Sequence, residues 1–141
     1  MNITVRYQSR GGNTKAVAEA VAKAAAARAE SIGVPINAPV DVLFIGGGIY
    51  AFNIDDSLRA YIKEIKKDEA AKVAVFTTAG FVDGTAKIIA LLKENGLNVC
   101  EKTLSIKMYF RNYGRTDALG AVKLSAKNLR LIDEFVKAAI G

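Results

Sequence analysis

Val5-Arg6-Tyr7-Gln8-Ser9-Arg10-Gly11-Gly12-Asn13-Thr14-Lys15 is the stretch on which the reading of this chain turns. It follows a β-branched run, Ile3-Thr4-Val5, and precedes an alanine-rich helical run from Lys15 to about Glu30. A strand, a tight glycine-containing turn and a helix together make a place for an anion. The first N–H groups of a helix have no partner within it, and they lie at its positive end. Adjacent Gly11 and Gly12 let the backbone approach an anion with no Cβ in the way. Ser9, Asn13 and Thr14 add short side chains that can donate to phosphate oxygens or cap the helix. The plain alternative is an ordinary strand-to-helix connection with Asn13 as its N-cap. No Gly-Lys-Ser/Thr of a Walker loop follows, and the glycines are not spaced as Gly-x-Gly-x-x-Gly, so both nucleotide fingerprints are absent.

Outward from this stretch, residues 2–7 read as the first strand and residues 14 to about 30 as the first helix, with Val17 and Val21 one turn apart. Its alanines suit a helix lying close against a sheet. Residues 31–39 hold both prolines, so any strand there is short and at an edge. Val40 to Ile45 is almost continuously apolar, as in a strand buried on both faces, and it runs into Gly46-Gly47-Gly48. Asp55 or Asp56 can cap a helix carrying Leu58, Tyr61, Ile62 and Ile65 at helical spacing. Lys72 to Thr77 is the next buried strand, and Thr78 to Gly84 is a loop. The helix after it holds Ile88, Ile89, Leu91 and Leu92 and stops at the cap signal Asn95-Gly96. From Leu97 to about Met108, Leu104, Ile106 and Met108 alternate with Thr103, Ser105 and Lys107, the pattern of a strand with one wet face. Tyr109 to Thr116 is a polar, aromatic and basic loop. Asp117 to Ile140 reads as a last helix, irregular near Gly120, with a stripe of Leu124, Leu129, Ile132, Phe135, Val136 and Ile140.

This alternation predicts an α/β fold. The expected architecture is a three-layer, doubly wound parallel sheet of five strands in a single domain over residues 1–141. In such sheets ligands sit beyond the carboxyl ends of the strands, at the switch point. The loops at 8–14, 46–55 and 78–84 share that edge.

Composition narrows the function classes. Hydrophobic residues make up 51% and charged residues 24%, a globular balance that argues against disorder. No apolar run is long enough to span a bilayer, and the N-terminus lacks signal-peptide architecture, so the expected location is cytoplasmic. A single cysteine, Cys100, excludes an internal disulfide. The absence of histidine excludes Ser-His-Asp and Cys-His catalytic units and a Cys/His metal site, which leaves Cys100 as a half-buried structural thiol. The net charge of +6 permits attraction to acidic partners. The basic residues form no long run and no aromatic ladder, so specific nucleic-acid binding is not expected.

In element order and in three loops the chain resembles the flavodoxin family, as a short-chain FMN-binding domain. Ser9, Gly12 and Thr14 match that family's phosphate loop, Ser/Thr-x-Thr-Gly-x-Thr, and Asn13 is a common occupant of its position. Gly11 stands where a hydroxyl is usual, and Arg10, unusual in its charge, is read as pointing to water. The stretch Gly47 to Asn53 is similar to the first ring-binding loop, which places Tyr50, Ala51, Phe52 and Asn53 at the flavin. There a backbone peptide faces the flavin N5 and an apolar side chain covers the ring. Thr78, Ala79, Gly80 and Phe81 are similar to the second ring-binding loop. Packing under a loop is the plain reading of Tyr50, Phe52 and Phe81. Packing and solvation are also the reading of the cluster Tyr109, Phe110, Arg111, Tyr113 and Arg115.

The resemblance implies strand order 2-1-3-4-5, FMN as cofactor, and a small electron carrier with no catalytic side chain and no metal. It also implies redox partner proteins, of acidic surface given the basic charge of a chain whose relatives are typically acidic, and a monomer or weak dimer. Two alternatives stand beside it. One is a flavodoxin-fold oxidoreductase acting on a quinone or porphyrinogen-like substrate. The other is a non-redox flavodoxin-fold interaction module that has lost FMN.

Overall fold

The structure is a computed structural model and describes residues 1–80, 82–108 and 122–141. Strands and helices alternate as β1 (Ile3–Gln8), α1 (Asn13–Ala24), β2 (Ala29–Ser31), β3 (Val40–Tyr50), β4 (Asn53–Ile54), α2 (Asp56–Glu64), β5 (Ala70–Ala79), α3 (Thr85–Glu94), β6 (Leu104–Lys107) and α4 (Ala126–Ile140). The sheet runs β2-β1-β3-β5-β6 with every neighbour parallel, and β4 turns back antiparallel on the end of β3. With that hairpin set aside, the order is the expected 2-1-3-4-5. The apolar run of β3 serves both faces. Val42 and Phe44 pack under α1 and α4, and Leu43 and Ile45 pack under α2 and α3. Phe44 meets Phe135 of α4 edge to face, with ring centroids 5.6 Å apart. The result is the three-layer, doubly wound sheet that the alternation predicts.

Several elements depart from the expected bounds. α1 stops at Ala24 rather than near Glu30 because the chain enters a left-handed turn at Ala26, φ +54°. Ala26 N–H donates to Lys23 O at 3.3 Å and Ala27 N–H to Ala22 O at 2.8 Å, the paired bonds of a Schellman cap. An alanine occupies the position that usually signals itself as glycine. The released residues 29–31 become the edge strand, ahead of the proline segment where it was expected. α3 ends in the same motif with the usual residue: Gly96 has φ +78°, and Leu97 N–H donates to Leu92 O at 3.1 Å.

β3 and β5 run on to Tyr50 and Ala79, beyond the expected Ile45 and Thr77. Gly46 and Gly47 are strand residues, not loop residues, and their role is to leave room. A Cβ on Gly46 would overlap the Phe76 ring, and one on Gly47 would lie 2.5 Å from a Leu58 methyl. The expected strand 97–108 is interrupted. Val99 lies opposite Val73 and Leu104 opposite Phe76, so the chain spends five steps where β5 spends three. The surplus is spent on Glu101 and Lys102, which stand exposed. Cys100 packs partly buried against the core, as expected, and burial pushes its thiol pKa up.

α4 begins at Ala126, where Ser125 Oγ accepts Asn128 N–H at 3.1 Å, so Val122 to Leu124 are not helical. Leu129 is exposed and leaves the expected stripe, while Ala139 is buried within it. The expected loop 109–116, its aromatic and basic cluster, and the expected helix start at 117–120 lie outside the described residues. Residues 32–39 are fastened by Arg6, a buried side chain on β1. Its guanidinium donates to Val34 O at 2.9 Å and Pro35 O at 2.7 Å, with Glu30 at 3.7 Å.

Candidate functional site

Parallel strands with helical crossovers bring the ends of β1, β3 and β5 to one edge. Between them lies a cleft of about 640 Å3 with mainly apolar walls. Its floor begins where β1 gives way to α1. Gly12 takes φ +97° as the N-cap, a conformation an L side chain rarely adopts, and as glycine it brings no side chain to cap the helix. Asn13 is therefore the first helical residue and not the cap. The Gly12 N–H donates to Ser9 Oγ at 3.1 Å, which leaves the Ser9 O–H able to donate elsewhere. No acidic residue stands in the first turn of α1 to oppose the positive end of its dipole.

The second wall is the β3–β4 hairpin. Tyr50 pairs with Asn53, so the loop holds only Ala51 and Phe52, with φ +49° and +65°. A two-residue loop with both φ values positive is the turn whose twist fits a hairpin, and it normally carries Asn or Gly. Here two L side chains adopt the left-handed region, at a cost of roughly 1–2 kcal/mol each. Phe52 is 68% exposed beside the cleft. Tyr50 folds back over Gly48, where a Cβ would lie 2.6 Å from the phenolic oxygen.

Polar bonds tie the three walls together. The Arg10 N–H donates to Tyr50 Oη at 3.1 Å, the Arg10 guanidinium lies 3.9 Å over the Tyr50 ring, and Arg10 Nε donates to Asp55 Oδ2 at 2.9 Å. Arg10 therefore does not simply point to water, as expected from the sequence; it joins the first loop to the second. Asp55 is the hub. Its Oδ1 accepts the Ser57 hydroxyl at 2.7 Å and Ser57 N–H at 2.9 Å, as the cap of α2, and Gln8 Nε2 reaches Oδ2 at 3.3 Å. The Ser57 bonds, with Arg10 adding to them, hold the Asp55 carboxyl below its ordinary value. On the far side Thr14 and Thr78 share a buried hydroxyl bond of 2.7 Å, joining the first loop to the end of β5.

Of the residues singled out in the sequence, Ser9, Arg10, Gly11, Asn13 and Thr14 line the cleft from the first loop. Tyr50, Ala51 and Phe52 line it from the hairpin, and Thr78, Ala79 and Gly80 from the end of β5 and the residue after it. Gly12, the helix cap, is not among the lining residues. Asn53 turns away, its Oδ1 accepting Ile54 N–H at 2.9 Å and Arg59 Nη2 at 2.7 Å. Phe81 lies outside the described residues. Gly48, Ile49, Val82 and Met108 also line the cleft and were not singled out. Gly48 and Ile49 fall within the stretch 47–53 likened to a ring-binding loop and Val82 within the loop 78–84, whereas the only sequence signal of Met108 is its place just beyond the end of β6. Among the described residues no group of three or more acidic, histidine or cysteine side chains is placed to hold a metal ion, and no helix is long and apolar enough to cross a membrane.

The family model described as Flavodoxin domain matches residues 4–118. No curated protein matches the sequence. Among solved structures, the chain is similar to the flavodiiron core of a Synechocystis sp. protein, with TM-score 0.72, 14% identity, and coverage of 98% of this chain and 34% of that one. It is similar to rubredoxin oxygen:oxidoreductase from Desulfovibrio gigas, with TM-score 0.70, 12% identity, and coverage of 97% and 34%. It is also similar to two-electron reduced Megasphaera elsdenii flavodoxin, with TM-score 0.61, 19% identity, and coverage of 96% and 98%. The chain thus spans about a third of the first two proteins and nearly the whole of the third. At these identities the likeness is one of fold.

Proposed function

The chain belongs to the flavodoxin domain family, and from that premise we propose that it binds FMN in the cleft and works as a small cytoplasmic electron-transfer protein. The observation that carries the reading is the meeting, in one cleft, of a helix start with no side-chain cap and apolar walls from two further strand ends. A phosphate suits the first feature and a flat, apolar ring the second. Bound FMN would supply the redox chemistry.

The residues of the chain have distinct parts in this reading. Ser9, with its free O–H, and the backbone N–H groups of Gly11, Asn13 and Thr14 would hold the phosphate, while the Gly12 N–H, bonded to Ser9 Oγ, fixes the turn that presents them. The Thr14 hydroxyl is shared with Thr78, so it sets the height of the first loop against β5. Arg10 contributes positive charge while staying on Asp55 and Tyr50. Tyr50, Ala51, Phe52 and Asn53 form the hairpin that faces one side of the ring. Phe52 covers the ring with a side chain that is otherwise exposed. Thr78, Ala79 and Gly80 would serve the other edge, where the family resemblance alone also assigns Phe81. No side chain in the cleft is needed for proton transfer, which suits a chain without histidine.

The test is the visible spectrum of the purified protein, before and after excess FMN and desalting. Retained flavin with quenched fluorescence supports the reading. A folded protein that retains none refutes it. Turnover of a quinone by the loaded protein, with NADPH as reductant, would move the chain from carrier to oxidoreductase.

A further inference from the structure

We infer that the face formed by the end of β6 and the first turns of α4 is a docking surface for an acidic redox protein. The inference rests on the electron-transfer reading above and adds to it the place and chemistry of the partner. A groove of about 320 Å3 runs between β6 and α4, lined by Val82, Ser105, Lys107, Lys127 and Leu131. Val82 also lines the cleft, so groove and cleft adjoin. On the other flank, a Cβ on Gly12 would lie 3.8 Å from a Val122 methyl, so the segment that carries Lys123 starts beside the first loop. Lys107, Lys123, Lys127 and Arg130 are all exposed, and none forms an ion pair among the described residues.

Their placement runs against local stability. α4 has no acidic residue in its first turn, and Lys127 and Arg130 stand near the positive end of its dipole. Acids begin at Asp133, which is paired with Lys137 at 2.8 Å. Among the described residues Asp83 is the one acid on the groove, and its Oδ1 is turned to the start of α3, accepting Thr85 N–H at 2.9 Å and the Thr85 hydroxyl at 2.6 Å. Unpaired cations at a helix start, kept at the rim of a redox cleft, fit a role in recognition. Leu131, 37% exposed, gives the patch an apolar centre. A basic rim around a small apolar centre suits a transient, electrostatically steered encounter with an acidic carrier.

The probe is a plant-type ferredoxin, which is acidic and carries a paramagnetic iron–sulfur cluster. It is titrated into the 15N-labelled chain. The expected result is broadening of amide signals at 105–107 and 126–131 at low ionic strength, lost at about 1 M salt, where the screening length falls to about 3 Å. In the charge-reversed variant K107E/K127E that broadening should disappear. Electron exchange of the FMN-loaded variant with ferredoxin should fall about tenfold or more, with FMN affinity unchanged. Broadening elsewhere, broadening that survives K107E/K127E, or equal broadening by a basic c-type cytochrome would overturn the inference. Failure to take up FMN would sink the electron-transfer reading alone, because the broadening is read without flavin.

Discussion

Phe52→Gly should make the flavin-free protein more stable and the flavin complex weaker. Phe52 holds φ +65° and is 68% exposed, so in the flavin-free protein it bears left-handed backbone strain with little burial to offset it. Relief of that strain is worth about 1–2 kcal/mol, less about 0.4–1 kcal/mol for the freer unfolded chain of glycine. The net gain is about 0.5–1 kcal/mol, or roughly 1–4 °C in Tm for a domain of this size. Ring contact acts the other way. A Phe side chain that goes from mostly exposed to covered buries about 100 Å2 more, worth up to about 2.5 kcal/mol. With partial cover the loss is about 1–2.5 kcal/mol, so FMN affinity should fall roughly 5- to 60-fold. Ala51→Gly, at φ +49° in the same turn, is the control. It should give the stability gain with little loss of affinity. Urea or thermal unfolding of the flavin-free variants measures the first effect and fluorescence quenching the second. Destabilisation by Phe52→Gly, or unchanged FMN affinity, would refute the reasoning.

The two Schellman caps predict opposite signs from mirrored substitutions. Ala26→Gly should stabilise by about 0.5–1 kcal/mol and Gly96→Ala should destabilise by about 1 kcal/mol, both read by urea unfolding. Thr78→Val strands the buried Thr14 hydroxyl and should cost about 1–3 kcal/mol of stability. Because Asp55 is held below its ordinary pKa, the stabilisation it gives the folded state is present above the unfolded value, about 3.9, and is lost as pH falls through the lowered folded value. The Tyr50 and Arg10 signals, followed by NMR, should therefore stay native-like at pH 5 and change together only in strong acid; Asp55→Asn should abolish that acid transition.

Much of the fold was legible because its strongest signals are local. The run Val40 to Ile45 could only be a strand buried on both faces, and Asn95-Gly96 marked the end of α3 plainly. The failures share a cause: in each, tertiary contact rather than local composition decided. Ala26 ends α1 in a conformation that alanine does not advertise, so the helix reads too long. Gly46 and Gly47 look like loop residues, yet they are strand residues kept small by Phe76 on the neighbouring strand and Leu58 on α2. The excursion at Glu101 and Lys102 leaves the alternation at Leu104 and Ile106 intact, so the strand reads as unbroken. In the site, Ser9, Asn13 and Thr14 were legible as short polar residues between a strand and a helix, and all three line the cleft. The reach of Arg10 to Asp55 spans 45 residues, and no pattern in either stretch announces it. Met108 and Ile49 line the cleft only because parallel strands end at the same edge.

The central claim, that the first loop holds a phosphate and the apolar walls a flavin ring, is tested most directly by comparing FMN with riboflavin. The two ligands share the ring, and only FMN carries the phosphate. Fluorescence quenching on the flavin-free protein gives both Kd values. Two or more charged hydrogen bonds to the phosphate predict FMN binding tighter by at least about 100-fold, roughly 3 kcal/mol. Equal affinity for the two, or no quenching by either, would contradict the account.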